Sequence, residues 1–389
     1  LDILLKSIFL NKIKNECEAI MIRLSQSCLG QEEIDAVTRV LRDGYLGMGQ
    51  EVRLFEQELQ NYISPEVDVV CVNTGTSALQ LSVQACGIGA GDEVIIPSLT
   101  YVASFQAVSA TGAKPVACDI DPTTGCIDVA DAKERITPKT KAIMPVHYAS
   151  GFGNLEGVYE IAHRYGLRVI EDAAHSFGGS YKDKPVGAHG DIICFSFDGI
   201  KNITCGEGGA VVSKDKELTA KIQDLRLLGV EKDTIKRYSG QRSWDFQVNQ
   251  QGWRYHMSNM NAAIGREQLK KIDKFGEIRR SLSEIYQNEL SSAPVEFLAL
   301  NLSKTVPHIF PVLIPRNSRN ELKETLFNRG IETGIHYKPN HLLKKFEGTN
   351  CLKAEEFWER ALTLPLHCNL KSEDVLIISK IVKDFCKNN

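Results

Sequence analysis

A chain of 389 residues is long enough to bury a large core and to divide into one large and one smaller unit. Its formal net charge of -3 carries no signature of a polyanion-binding surface, which argues against a nucleic-acid partner, and its 43% hydrophobic content is that of an ordinary globular protein. Eleven cysteines include no CxxC pair and no cluster with histidine, so they read as reduced packing thiols of a cytoplasmic protein, not as a disulfide framework or a metal site.

Residues 1–20 place Leu1, Leu4, Leu5, Ile8 and Ile13 near helical spacing, with Lys6, Lys12 and Lys14 between them, and predict one amphipathic helix. The stretch lacks an uninterrupted apolar span and a small-residue cleavage site, so neither a membrane-spanning helix nor a signal peptide is expected; residues 1–22 read as a dispensable extension. Ile34, Val37, Val40 and Leu41 then form the stripe of a helix packed on one face. The following DGYLGMGQEV has three glycines, which suit either a plain turn between helices or close backbone approach to a ligand.

Residues 67–72 predict the first core strand, and NTGTSALQLS leads from it into a helix. Free backbone N–H groups there, with the hydroxyls of Thr76 and Ser77, make a phosphate cradle; the bland alternative is that Thr74 or Thr76 caps the helix. Residues 89–121 read as strand, turn, helix, strand, a right-handed crossover unit of a mostly parallel sheet. Asp119 and Asp121 lie in an exposed turn without further ligands, so no metal is expected. Another strand over 140–146 and a helix over 155–165 lead to the central segment.

That segment is LRVIEDAAHSFGGSYKDKPVGAHGDIICFSFDGIKNITCGEGGAVV, residues 167–212. One apolar run ends on Glu171 and Asp172, a second delivers Ser196, and Lys201 follows before a third run over 210–212. An acid, a hydroxyl and an amine are thereby brought to the ends of neighbouring strands. These are the groups that pyridoxal 5'-phosphate (PLP) requires: an amine to tether its aldehyde, an acid to keep its ring nitrogen protonated, and donors for its phosphate. Taken singly, the lysine reads as a solvated side chain and the aspartate as a turn former.

Together, EDAAHSFGG, FSF and KNITCGEGGAVV resemble the core of the DegT/DnrJ/EryC1/StrS family of PLP-dependent sugar aminotransferases, and the resemblance runs from about Leu24 to the C-terminus. It implies an α/β fold of the PLP-dependent transferase type I. A large PLP-binding domain with a mostly parallel sheet flanked by helices is expected over residues 23–275, and a smaller C-terminal α+β domain over 276–389. By the same resemblance Gly75, Thr76, Ser77 and Ser196 would bind the phosphate, Tyr101 would stack on the ring, Asp172 would pair with the ring nitrogen, and His175 would sit beside the ring hydroxyl. Lys201 would hold the cofactor and shuttle the proton of a ping-pong transamination. Tyr45 lies where the family touches substrate. GIETGIHYKPNHL resembles the family's GI.T..HY.P.H and places His336, Tyr337 and Lys338 near the substrate, while the spacing of His336 and His341 does not make a metal site.

QVNQQGWRYHMSNMNAAIG departs from the family's GYNYRM by carrying Arg254 and His256. Arg254 would bind either the PLP phosphate of the neighbouring subunit or the diphosphate of a sugar nucleotide, and either role implies a homodimer with shared active sites. A strand over 309–314, a helix over 320–329 and a closing helix over 373–386 complete the smaller domain. The implied reaction is transamination of a nucleotide-linked keto-deoxysugar, most like a 4-keto-6-deoxy sugar, with glutamate or glutamine as donor. The rivals are a sugar dehydratase of the same fold, disfavoured by Lys201, and an inactive binding homologue. A dinucleotide oxidoreductase is disfavoured because no GxGxxG precedes an acidic strand end.

Overall fold

A computed structural model describes residues 21–241 and 244–388, so the helix expected over residues 1–20 lies outside the described residues. The chain opens with two helices, α1 (Gln31–Asp43) and α2 (Gln50–Ile63). Strands and helices then alternate: β1 (Asp68–Val72), α3 (Gly75–Ala85), β2 (Glu93–Pro97), α4 (Val102–Ser109), β3 (Lys114–Cys118), α5 (Val129–Glu134), β4 (Thr140–Ile143), α6 (Leu155–Tyr165) and β5 (Arg168–Asp172). A short hairpin, β6 (Ser180–Tyr181) and β7 (Lys184–Pro185), precedes β8 (Ile192–Ser196) and β9 (Gly209–Ser213). Four helices follow: α7 (Lys216–Leu225), α8 (Asp233–Tyr238), α9 (Asn259–Leu269) and α10 (Ile272–Leu290). The C-terminal part holds β10 (Glu296–Phe297), β11 (Phe310–Leu313), α11 (Arg319–Phe327), α12 (Leu352–Arg360), β12 (Ala361–Leu364) and α13 (Ser372–Asn388).

The seven-stranded sheet has the order β1-β9-β8-β5-β4-β2-β3. Strand β9 runs antiparallel to both of its neighbours, and every other pairing is parallel. The reversal comes from the link between β8 and β9, which returns directly instead of crossing over through a helix, closed by Phe197 N–H on Gly208 O and Cys205 N–H on Phe197 O. Residue Lys201 rides on that link, at the same sheet edge where β5 ends on Asp172 and β1 leads into α3. In open α/β sheets this carboxyl edge is where ligands are bound.

Both faces of the sheet are buried, and its residues alternate between two cores as a two-residue period demands. Val70, Val72, Ile170, Ile192 and Cys194 pack with Leu79, Leu81 and Phe105 on one side. Val69, Cys71, Ile193, Phe195 and Val212 pack with Phe55, Leu59 and Leu269 on the other. Helix α6 keeps its expected limits because both ends are capped: Asn154 accepts from Gly157 N–H, and Gly166 takes the left-handed conformation, φ 64, that a side chain disfavours.

Helix α1 departs from expectation. Ile34 and Leu41 are 58% and 54% exposed, and the buried face is Glu33, Ala36 and Val40, packed against α9. The inward turn follows Glu33, whose carboxylate accepts from Lys271 Nζ at 2.7 Å, from Gln268 Nε2 at 2.8 Å and from Gly30 N–H at 2.7 Å. These three donors satisfy the Glu33 carboxylate on the inner face, leaving Ile34 and Leu41 on the outer surface of the single chain.

The C-terminal part forms a three-stranded antiparallel sheet, β10-β11-β12, whose core includes Leu282, Tyr286, Val312, Leu322 and Ile378. Helix α10 crosses the expected boundary without a break: Ile272 and Phe275 belong to the core of the large sheet, Leu282, Tyr286 and Leu290 to the smaller one.

Arg226 is fully buried. Its guanidinium donates to Glu56 Oε1 at 2.6 Å, to Cys71 O at 2.5 Å and to Tyr238 Oη at 2.9 Å, tying α7 to α2, β1 and α8. Removing one partner of a buried pair strands the other charge. Arg226→Met is therefore expected to cost about 3–5 kcal/mol in urea unfolding, with part of the loss recovered in Arg226→Met/Glu56→Gln; a single-variant loss below the error of the measurement would contradict this account.

Candidate active site

A cavity of about 470 Å³ opens at the carboxyl edge of the large sheet. Its wall is built by Gly75 and Thr76 at the start of α3, Tyr101 before α4, Asp172 at the end of β5, His175 just beyond it, Ser196 at the end of β8, Lys201 in the returning link, and His336 and Tyr337 from the C-terminal part. Asp172 and Lys201, 29 positions apart in sequence, thus face one space.

Asp172 is 6% exposed, and its carboxylate is held in one orientation: Ser104 Oγ donates to Oδ2 at 2.7 Å and Ala174 N–H to Oδ1 at 3.2 Å. Lys201 is partly buried, and burial pulls its amine down from 10.5 to about 8 against the opposing pull of Asp172 and Asp198. His175 is held neutral, far below its ordinary pKa, by burial first and by the charge of Lys201 second; its Nε2 lies 3.1 Å from Tyr337 Oη. His336 falls to about 4 for the same two reasons, with Nδ1 2.9 Å from Thr363 Oγ1. Tyr101 is 59% exposed at the mouth, its ring 5.6 Å from that of Tyr337.

The start of α3 is closely capped. Thr74 Oγ1 accepts from Ser77 N–H at 3.0 Å, and Ser77 Oγ donates to Asn73 Oδ1 at 2.7 Å, so Ser77 is engaged within the helix start and does not reach the cavity wall as expected. Gly75 is required for space: a Cβ there would stand 2.7 Å from Ser196 Cβ, closing the gap between α3 and β8. With Ser77 N–H capped by Thr74, the N–H groups of Gly75 and Thr76 are the ones left in that first turn to suit an anion.

Three other expected residues lie outside this cavity. Tyr45 packs beside Gly49, with its carbonyl accepting from Asn259 Nδ2 at 2.9 Å. Lys338, one residue past Tyr337, is exposed. Arg254 is also exposed: Trp253 Nε1 donates to Gln84 Oε1 at 2.8 Å and Tyr255 Oη lies 3.2 Å from Gln80 Oε1, so both flanking rings face α3 and the extended chain turns Arg254 the other way. His256 is partly buried and pushed down to about 4, by burial and then by Arg237 and Arg254. His341 belongs to a clasp in which its Nδ1 lies 2.7 Å from Ser98 Oγ and its Nε2 3.0 Å from Glu355 Oε1, joining the end of β2 to the C-terminal part. Among the described residues no group of three or more His, Cys, Asp or Glu is placed to hold a metal ion.

Two neighbours of the site were not legible from motifs. Ser104 sits inside α4 with nothing in its local pattern to mark it, and His308 is an isolated histidine before β11, yet its Nε2 lies 3.4 Å from Lys201 Nζ. Size would not have found the site either. A larger cleft of about 990 Å³ lies between α6 and the β6–β7 hairpin, where Glu171 accepts from Tyr159 Oη at 2.5 Å, but it holds neither Asp172 nor Lys201.

The DegT/DnrJ/EryC1/StrS aminotransferase family model matches residues 27–383. The chain belongs to that family. An uncharacterized protein of Methanocaldococcus jannaschii is 36% identical over 375 residues, which cover 93% of this chain and 97% of that one. Among solved structures, the aminotransferase TlmJ from Streptoalloteichus hindustanus matches with a TM-score of 0.88 at 30% identity, over 95% of this chain and 99% of that one. A putative sugar aminotransferase from Streptococcus pneumoniae, solved in its PLP form, matches with a TM-score of 0.88 at 28% identity, over 95% and 99% of the two chains; its PMP form matches equally well, with a TM-score of 0.88. The protein is accordingly a PLP-dependent sugar aminotransferase. Its own residues fit the cofactor: a low-pKa amine, a buried oriented carboxylate, and a glycine-lined helix start across the same cavity.

The buried histidines make stability depend on pH. An unfolded histidine takes up a proton below about pH 6.5, whereas folded His336 resists protonation until about pH 4. The stability this contributes is fully present above pH 6.5 and is lost as pH falls towards 4, amounting to roughly 3 kcal/mol over the whole window for His336. Urea unfolding at a series of pH values should show stability declining on acidification below 6.5, with a shallower decline in His336→Gln; equal slopes in the two proteins would contradict the assignment.

Proposed function

We propose that this aminotransferase moves the amino group of glutamate or glutamine onto a nucleotide-linked keto-deoxysugar, of which a 4-keto-6-deoxy sugar is the best match. The observation that carries the reading is the meeting of the Lys201 amine and the Asp172 carboxylate in one cavity beside the start of α3. Bound PLP supplies a reactive carbonyl carbon and a protonated ring that takes up an electron pair. The remaining tasks fall to the chain. Asp172, fixed by Ser104 and Ala174, would keep the ring nitrogen charged. Gly75, Thr76 and Ser196 would hold the phosphate, Tyr101 would cover the ring, and His175 with Tyr337 would serve its hydroxyl side. Lys201, whose pKa near 8 leaves a usable neutral fraction at physiological pH, would take the proton from the donor's carbon and give it back, and the same amine would serve the reverse transfer to the sugar.

The reading includes a homodimer. Ile235, Trp244 and Val248 are 70%, 86% and 51% exposed on the stretch leading to Arg254, and Ile34 and Leu41 add two more exposed aliphatics. Apolar surface of this kind supports a partner subunit. Arg254 would then complete the partner's site, at the PLP phosphate or at the sugar-nucleotide diphosphate, and Tyr45 and Lys338 would contact substrate at the mouth. A cytoplasmic location accords with the free thiols of the described cysteines.

With 15N-glutamate and dTDP-, UDP- and GDP-linked keto sugars offered in turn, NMR should show the label on one sugar carbon. A deoxygenated product without label would instead establish the dehydratase. Lys201→Ala should lose the borohydride-bleached yellow colour and roughly 10²–10⁴-fold of the rate.

Arg254→Ala should bind either PLP or the nucleotide sugar about tenfold or more weakly, as loss of a charge-assisted hydrogen bond implies. Which ligand weakens identifies the role. Mixing this variant with Lys201→Ala should restore part of the activity through hybrid dimers; no recovery would speak against a shared site.

A further inference from the structure

His308 has no part in the assignments above, yet it is the group that meets the lysine. It is 4% exposed, and its backbone is fixed from two sides: its carbonyl accepts from Arg279 Nη1 at 3.2 Å, and its N–H donates to Ser150 Oγ at 3.1 Å. Its ring lies against that of His175, with centroids 4.5 Å apart. Nε2 stands 3.4 Å from Lys201 Nζ, at the outer edge of hydrogen-bond reach, and Nδ1 has no partner among the described residues.

The missing partner selects the tautomer. A buried N–H without an acceptor is costlier than a bare ring lone pair, so the proton of the neutral imidazole belongs on Nε2, facing the lysine. An Nε2–H can bond to Lys201 only through the amine's lone pair, and only the neutral amine has one. The charged and titratable groups acting on His308 are Lys201, His175, Arg279 and His336, none of them an anion that would favour an imidazolium; Asp172 and Asp198 act on Lys201.

We propose that His308 is a positioning residue whose Nε2–H donates to the lone pair of the Lys201 amine, holding that amine neutral and parked at the cavity wall whenever it is not bonded to the cofactor. Burial acts in the same direction, pushing His308 well below its ordinary pKa and Lys201 to about 8. The carbonyl bond from Arg279, on α10, fixes this donor to the helix that both cores share.

The proposal rests on the lysine-shuttle reading but not on the identity of sugar or donor. Its test uses full-length protein loaded with pyridoxamine phosphate, in which Lys201 is free. Trace acetylation by acetic anhydride, quantified by peptide mass spectrometry against exposed Lys139, gives the titration midpoint of Lys201. His308→Phe removes the donor and offers a ring face that favours a cation, so the midpoint should rise by about one unit, seen as about tenfold less labelling at pH 7. His308→Gln keeps an amide donor and should stay within about 0.3 unit of the unmodified protein. A phenylalanine variant that titrates like the unmodified protein overturns the proposal, as do equal shifts in both variants. If the phenylalanine variant does not fold, His308→Met makes the same comparison with glutamine.

Discussion

The site depends on the balance of two forces on one amine. Removal from water favours the neutral form of Lys201, while the carboxylates of Asp172 and Asp198 favour the charged form, and the result lies near 8. For the proposed proton shuttle, a more exposed lysine would stay protonated and idle, and one buried without carboxylates would hold its proton too weakly to deliver it. Ser104 and the Ala174 N–H hold the Asp172 carboxylate in one orientation within that balance.

That arrangement follows from sheet topology. Because β1, β5 and β8 are parallel, their carboxyl ends lie at one edge, and because β9 returns antiparallel, the link carrying Lys201 folds back over that same edge. His336 and Tyr337 then close the space from the C-terminal part. His175 and His308 stay neutral as their rings pack together, and Tyr337 joins His175 to the chain that leads towards β12. Helix α10, shared by both cores, and the Ser98–His341–Glu355 clasp bind that part to the large sheet, so the cavity wall spans two packing units.

Much of this was legible before any coordinates. The strand runs ending at Asp172 and Ser196, the lysine after them and the glycine-rich start of α3 are local patterns, and the structure gathers Asp172, Ser196, Lys201, Gly75 and Thr76 around one cavity. Local periodicity misled at α1, where the aliphatic stripe of Ile34 and Leu41 faces outward because Glu33 finds three donors within the protein. It also could not tell that the Ser77 hydroxyl turns into the helix cap, nor that alternate rings at 253 and 255 would direct Arg254 away from its own cavity.

The sequence by itself determined the α/β class, the family and the chemical character of the central segment, because strand period, turn residues and a contiguous motif are all encoded within a few positions of one another. Tertiary structure alone decided which distant groups tune that segment. Ser104 meets Asp172 across 68 positions and His308 meets Lys201 across 107. Contacts of that kind are made by the crossing of elements remote in sequence, and no local pattern around either residue records which partner the fold will bring to it.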